Sequence, residues 1–193
     1  MPHDRRRHAL DELKRKLSFS RIVTLQGPRQ CGKSFLAREI LSKEIPGFQY
    51  VTLDVKQNRD FATNSPSAFL AQFKPDSTVA IDEAQKAPDL FDEIKSVVDT
   101  NRHPGQFLLL GSTEFSREAL VKESLTGRVS RQRLFPLNLS ETMKLPLKSK
   151  LINPTTRVSR TDMMHFLNHG GMPSVFAVRS ALEQDQKLQE WIE

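Results

Sequence analysis

The stretch VTLQGPRQCGKSFLAREI, residues 23–40, limits the fold more than any other part of the chain. A β-prone apolar run ends at Gly27, a short loop follows, and a helical pattern begins at Lys33. Gly27-Pro28-Arg29-Gln30-Cys31-Gly32-Lys33-Ser34 satisfies G-x-x-x-x-G-K-[ST]. Glycines let such a loop turn tightly and aim successive backbone N–H groups inward, a nest for anionic oxygens. The helix that follows adds its positive dipole end. In this pattern Lys33 reaches the β- and γ-phosphates of a nucleotide and the Ser34 hydroxyl ligates Mg²⁺, with Phe35 closing the phosphate-binding segment. Cys31 has no second cysteine or paired base beside it and is read as a tolerated small residue rather than a nucleophile.

A phosphate cradle alone only binds. Hydrolysis also needs a group to hold the cation and one to place water. TVAIDEAQ, residues 78–85, supplies both candidates. Val79, Ala80 and Ile81 form a buried strand, so Asp82 and Glu83 emerge at its C-terminal end, where open α/β sheets hold ligands. Asp82 is expected to hold Mg²⁺, directly or through water, and Glu83 to polarise the attacking water. A glutamate directly after the metal-binding aspartate argues against a small-molecule kinase, which must exclude water. No N-K-x-D guanine motif follows a later strand. ATP hydrolysis is therefore the expected chemistry. The alternatives are a nucleotide-gated binding module with negligible turnover, or a small-molecule kinase, to which TTRVSR at 155–160 lends slight support.

Around these motifs the pattern alternates. Helical spacing covers 8–18, strands are expected at 21–26, 48–54, 77–84, 106–112 and 128–136, and helices at 33–41, 65–73, 87–101 and 116–124. Pro66 is expected at the first position of its helix with Ser65 as the cap. The strands at 77–84 and 106–112 are continuous apolar runs, the mark of strands covered on both faces. The fold class is thus α/β: a parallel five-stranded sheet flanked by helices. Four segments are expected: an N-terminal helix (1–18), an ATPase domain (19–144), a linker or exposed loop (145–160), and a small helical segment (161–193), a lid or the start of a further domain. Its first helix starts near Thr161, capped by Thr161 or Ser159, and 170–173 breaks it before a last helix from Ser174. His165 and His169 lie one helical turn apart, but the intervening residues lack the glutamate of a zinc-protease pattern, and zinc is set aside.

The net charge is +6, which permits contact with DNA or another polyanion without showing it. Arg5, Arg6, Arg7, Lys14, Arg15 and Lys16, and again Arg128, Arg131 and Arg133, read as solvated faces. No apolar run approaches a membrane span, and no secretory signal or multi-cysteine site is present. A cytoplasmic, membrane-free protein is expected.

GPRQCGKS, IDEAQKAPDLFDEIKSVVD, HPGQFLLLGSTEFS, ESLTGRVSRQRLFPLNLSE and GGMPSVF, in that order, resemble the prokaryotic AAA+ ATP-binding proteins of the archaeal-type ATPase group. The resemblance implies an AAA+-type P-loop NTPase fold that binds ATP and Mg²⁺, with action on a protein or DNA partner and a possible homo-oligomer. It further implies that Ser112 senses the γ-phosphate and that Arg128, in LTGR, acts in cis as a sensor or in trans as a finger. Arg29 and Asp54 are candidates for a bracing pair. Members of the group continue into a C-terminal domain of unknown function, so this chain resembles a truncated member. Many carry threonine where Ser34 stands, a change that keeps the hydroxyl.

Overall fold

The computed structural model describes residues 6–112, 127–144, 158–176, 178 and 180–192. Two compact units emerge, one made of 11–27 and 33–134, the other of 1–10, 28–32 and 135–193.

The larger unit is the sheet. Helix α1 (Ala9–Leu17) leads into β1 (Ile22–Gln26), whose five residues are all buried. After the loop come a single α-helical turn, α2 (Lys33–Phe35), a π-helical segment (Leu36–Leu41) and another turn, α3 (Ser42–Glu44). The plain helix expected over 33–41 is therefore mostly π-helical, a rare form that recurs at functional sites. Next come β2 (Gln49–Thr52), α4 (Lys56–Asn64), α5 (Pro66–Ala71), β3 (Val79–Asp82), a 3₁₀ turn (Ala84–Lys86), α6 (Leu90–Thr100), β4 (Phe107–Gly111) and β5 (Val129–Arg133). Pro66 opens α5 as expected, but the Ser65 side chain makes no capping bond. The helix expected at 116–124 lies outside the described residues, as does most of the 145–160 loop.

All five strands are parallel, in the order β2-β3-β4-β1-β5. Both faces are covered, which is why β3 and β4 are apolar without alternation. Ile22, Leu53, Phe69, Ile81, Leu90, Phe91, Ile94 and Leu109 form the centre of the core at 0–1% exposure. Fully burying such side chains is worth about 1.5–3 kcal/mol each, which fixes the register. In register, Gln26 lies beside Gly111 and Thr52 beside Asp82. Gly27, Ser112, Asp82 and Glu83 therefore all leave the carboxyl edge of the sheet. Lys16 ties α1 to the edge strand, donating to the Arg131 carbonyl at 2.6 Å and to Gln132 Oε1 at 2.9 Å.

The smaller unit contains α7 (Leu139–Thr142), α8 (Arg160–His169), α9 (Pro173–Phe176) and α10 (Ala181–Ile192). Ser159 caps α8, accepting from the Asp162 N–H at 3.0 Å. Two helices, not one, follow the 170–173 break. Gly171 is required there: it lies so close to the 135–138 segment that a Cβ would sit 2.0 Å from the Leu137 carbonyl oxygen. No helix among the described residues is long and apolar enough to cross a membrane.

Candidate nucleotide site

The 27–34 loop turns through positive-φ backbone. Gln30 and Gly32 both take positive φ, 61° and 96°. Within the larger unit, Lys33 is 7% exposed and its ammonium donates to the Gly27 carbonyl at 2.9 Å. Ser34 follows on α2, exposed.

Asp82 ends β3 at 3% exposure. One carboxylate oxygen accepts the Glu83 N–H at 3.0 Å, and the other accepts the Tyr50 hydroxyl at 2.6 Å. Burial, then the hydrogen bond to Asp82, pushes the Tyr50 hydroxyl well above its ordinary pKa, so it stays a donor at neutral pH. The Ser34 hydroxyl and the Asp82 carboxylate are hard oxygen donors, the set Mg²⁺ prefers. The residues present thus suit that cation.

Glu83 sits in left-handed backbone, φ 55° and ψ 40°, which is strained for a residue with a Cβ. Its carboxylate accepts from Gln85 Nε2 at 2.5 Å. Gln85 Oε1 is buried without a hydrogen-bond partner. Strain and an orphaned acceptor on adjacent side chains mark a place kept for something other than stability.

The other expected residues separate. Ser112 leaves β4 beside the exit of β1, at the same sheet edge as Gly27. Arg128 does not join them. It precedes Val129, which pairs with Ile22 at the opposite end of the strands. Six residues of parallel strand, at ~3.3 Å each, put it about 20 Å from the Gly27 edge. There its guanidinium grips Asp99 at 2.6 and 2.9 Å and holds that carboxyl below the usual range. Within its own chain Arg128 therefore lies apart from the Gly27 edge. Asp54, a candidate for the brace with Arg29, pairs with Lys86. His165 and His169 stack on one another at 4.0 Å, and no cluster of three metal-binding side chains occurs among the described residues.

A match to the family described as AAA domain covers residues 19–143. The chain belongs to the AAA domain family. Uncharacterized protein Rv2008c of Mycobacterium tuberculosis is 38% identical over 175 residues, 91% of this chain and 35% of that protein. Uncharacterized protein Mb2031c of Mycobacterium bovis matches equally. This AAA domain thus spans about a third of the length of the curated relatives it matches, 35%. Among solved structures, a Walker-type ATPase of Pyrococcus abyssi has a TM-score of 0.54 at 15% identity, covering 90% of this chain and 65% of its own. The Holliday junction branch migration motor RuvB of Thermotoga maritima has 0.53 at 18%, covering 88% and 58%. These identities speak for the fold alone. Fold and family together make this an AAA-type P-loop ATPase domain.

Four residues escaped the sequence reading of this AAA domain: Tyr50, Gln85, Arg7 and Glu141. Arg7 belongs to the smaller unit and is the exception to the solvated basic cluster, at 6% exposure. Its guanidinium donates to the Cys31 carbonyl at 2.8 Å, to the Phe135 carbonyl, and to Glu141 at 3.3 Å. Glu141 in turn accepts from the His8 N–H at 2.6 Å and closes a capping box with Asn138 at 3.0 Å. The box was legible as N-x-x-E at 138–141. Ser174 Oγ reaches Gln30 at 3.0 Å, a second tie on the same loop.

Two expected results follow for this strut. Glu141→Ala leaves a buried guanidinium without its carboxylate and should cost about 3–5 kcal/mol of unfolding free energy in urea; a loss below about 1 kcal/mol would show that the pair does not hold the unit together. Gly32→Ala forces a Cβ onto a φ of 96° and within 3.3 Å of Arg7 Nη1. It should lower stability by about 1–3 kcal/mol, and equal melting of variant and wild type would contradict the strained loop geometry.

Proposed function

We propose that this domain binds Mg²⁺–ATP and hydrolyses it. The observation that carries the reading is the buried Lys33 ammonium directly before Ser34, with Asp82 held by Tyr50 at the carboxyl edge of the same sheet. Lysine is seldom buried without a role for its charge, and a triphosphate supplies the matching anion.

In this reading the amides of Gly27 to Ser34 and the Lys33 ammonium take the β- and γ-phosphates. Ser34 and Asp82 hold the cation, which when bound neutralises charge on the phosphoryl oxygens. Glu83 orients water for in-line attack, and its proton passes to the carboxylate. Ser112, at the same sheet edge, takes the γ-phosphate sensor role. Arg128, remote within its own subunit, serves as a finger on a neighbouring copy, which makes a homo-oligomer part of the proposal. For the partner we propose DNA, on the net charge of +6 and the fold shared with a branch migration motor.

The test is phosphate release from ATP by the chain as it stands, with Mg²⁺ and with EDTA. Release that requires both the cation and Lys33 supports the reading; none under any condition, with ATP bound, would favour a nucleotide-gated module. One observation favours that second reading: Glu83 is already engaged by Gln85. Turnover would then wait until that bond is broken.

A further inference from the structure

The chain has one tyrosine, and it stands at the centre of the cluster just described. Tyr50 lies on β2 beside Ala80, half-buried, one strand away from the aspartate it reaches. The physical question is what its hydroxyl does for Asp82. Asp82 spends one oxygen on the Glu83 N–H. The Tyr50 hydroxyl donates to the other at 2.6 Å. Both carboxylate oxygens are thus fixed in direction, and each keeps a lone pair for a cation.

We propose that Tyr50 is a positioning residue of the cation site. By giving its hydrogen to Asp82, it holds the carboxylate in place before Mg²⁺ arrives. The proposal rests on the Mg²⁺–ATP reading above. Tyr50 does not touch the phosphates, and its effect runs only through the carboxylate it bonds. Partners of this kind set the orientation and basicity of ligands, and losing one typically weakens metal affinity by about 10- to 100-fold.

Tyr50→Phe removes one oxygen atom and keeps the aromatic ring. The full chain, wild type and variant, is loaded with a non-hydrolysable ATP analogue, and Mn²⁺ affinity is read by electron paramagnetic resonance. Nucleotide affinity is read separately in EDTA. We expect Mn²⁺ to bind the variant complex about 10- to 100-fold more weakly, with metal-free nucleotide affinity unchanged within about twofold. With 3-fluorotyrosine in the wild-type chain, the single ¹⁹F signal should stay in place when nucleotide is added in EDTA and shift when Mg²⁺ follows. Equal Mn²⁺ affinity in both proteins overturns the proposal. Tighter Mn²⁺ binding by the variant also overturns it and makes Tyr50 a competitor for the cation. Parallel loss of nucleotide affinity in EDTA overturns it in favour of a packing role. If the wild-type chain takes up no nucleotide at all, the Mg²⁺–ATP reading itself falls, a result distinct from the other three.

Discussion

Lys33→Ala is expected to weaken ATP binding by at least ~100-fold, because it deletes the only ammonium the motif places against the β- and γ-phosphates, and charge-assisted bonds are worth about 1.5–3 kcal/mol each. The expectation comes from position as well as motif. Lys33 is 7% exposed, immediately follows the positive-φ Gly32, and already donates to Gly27 at the mouth of β1. An ammonium so placed is held by the loop's own backbone and needs little reorganisation to meet a phosphate. The same substitution removes the Lys33–Gly27 bond, so the melting temperature of the variant must be measured beside the calorimetric titration. A variant that folds as the wild type does and still binds ATP with unchanged affinity would sink the assignment of this loop.

Glu83→Gln should separate binding from chemistry. It keeps shape and removes the base, and a positioned general base contributes about 10²–10⁴-fold. We therefore predict phosphate release slowed by roughly that factor, with ATP affinity within about threefold of wild type. Glu83 occupies left-handed backbone at the end of a buried strand, and its carboxylate is held by Gln85 at 2.5 Å. A glutamine at position 83 can keep that contact through its carbonyl oxygen, so the local backbone should survive. If phosphate release is the same in both proteins while both bind ATP, Glu83 has no part in hydrolysis and the gated-module reading gains.

What the sequence disclosed, and what it hid, follows from sequence distance. The loop at 27–34 and the pair Asp82–Glu83 are each contiguous, so their chemistry could be read directly. The sheet was legible because β3 and β4 are uninterrupted apolar runs of the kind only a doubly covered strand carries. Helix α4 was not. Its residues, KQNRDFATN, bury only Ala62, too little to leave a period. The π-helical stretch after Phe35 has the composition of an ordinary helix, and the change of hydrogen-bond pattern leaves no mark in residue type.

The missed site residues share a cause. Tyr50 meets Asp82 across 32 positions, through the pairing of β2 with β3. Arg7 meets Glu141 across 134. Arg7 looked like one more charge in a basic run, and only the folded chain shows that it is enclosed by carbonyls and a carboxylate. Arg128 is the reverse case. Its motif neighbours suggested closeness to the nucleotide, yet strand register places it at the far edge of the sheet, bonded to Asp99.

The most direct test of the account is a crystal structure of the full chain with Mg²⁺ and a non-hydrolysable ATP analogue. The account predicts the β- and γ-phosphates within the 27–34 loop, Lys33 Nζ on their oxygens, and the cation between Ser34 and Asp82 with Glu83 facing the γ-phosphate. Nucleotide bound elsewhere, or bound in the loop with Asp82 and Glu83 turned away from its cation, would contradict it.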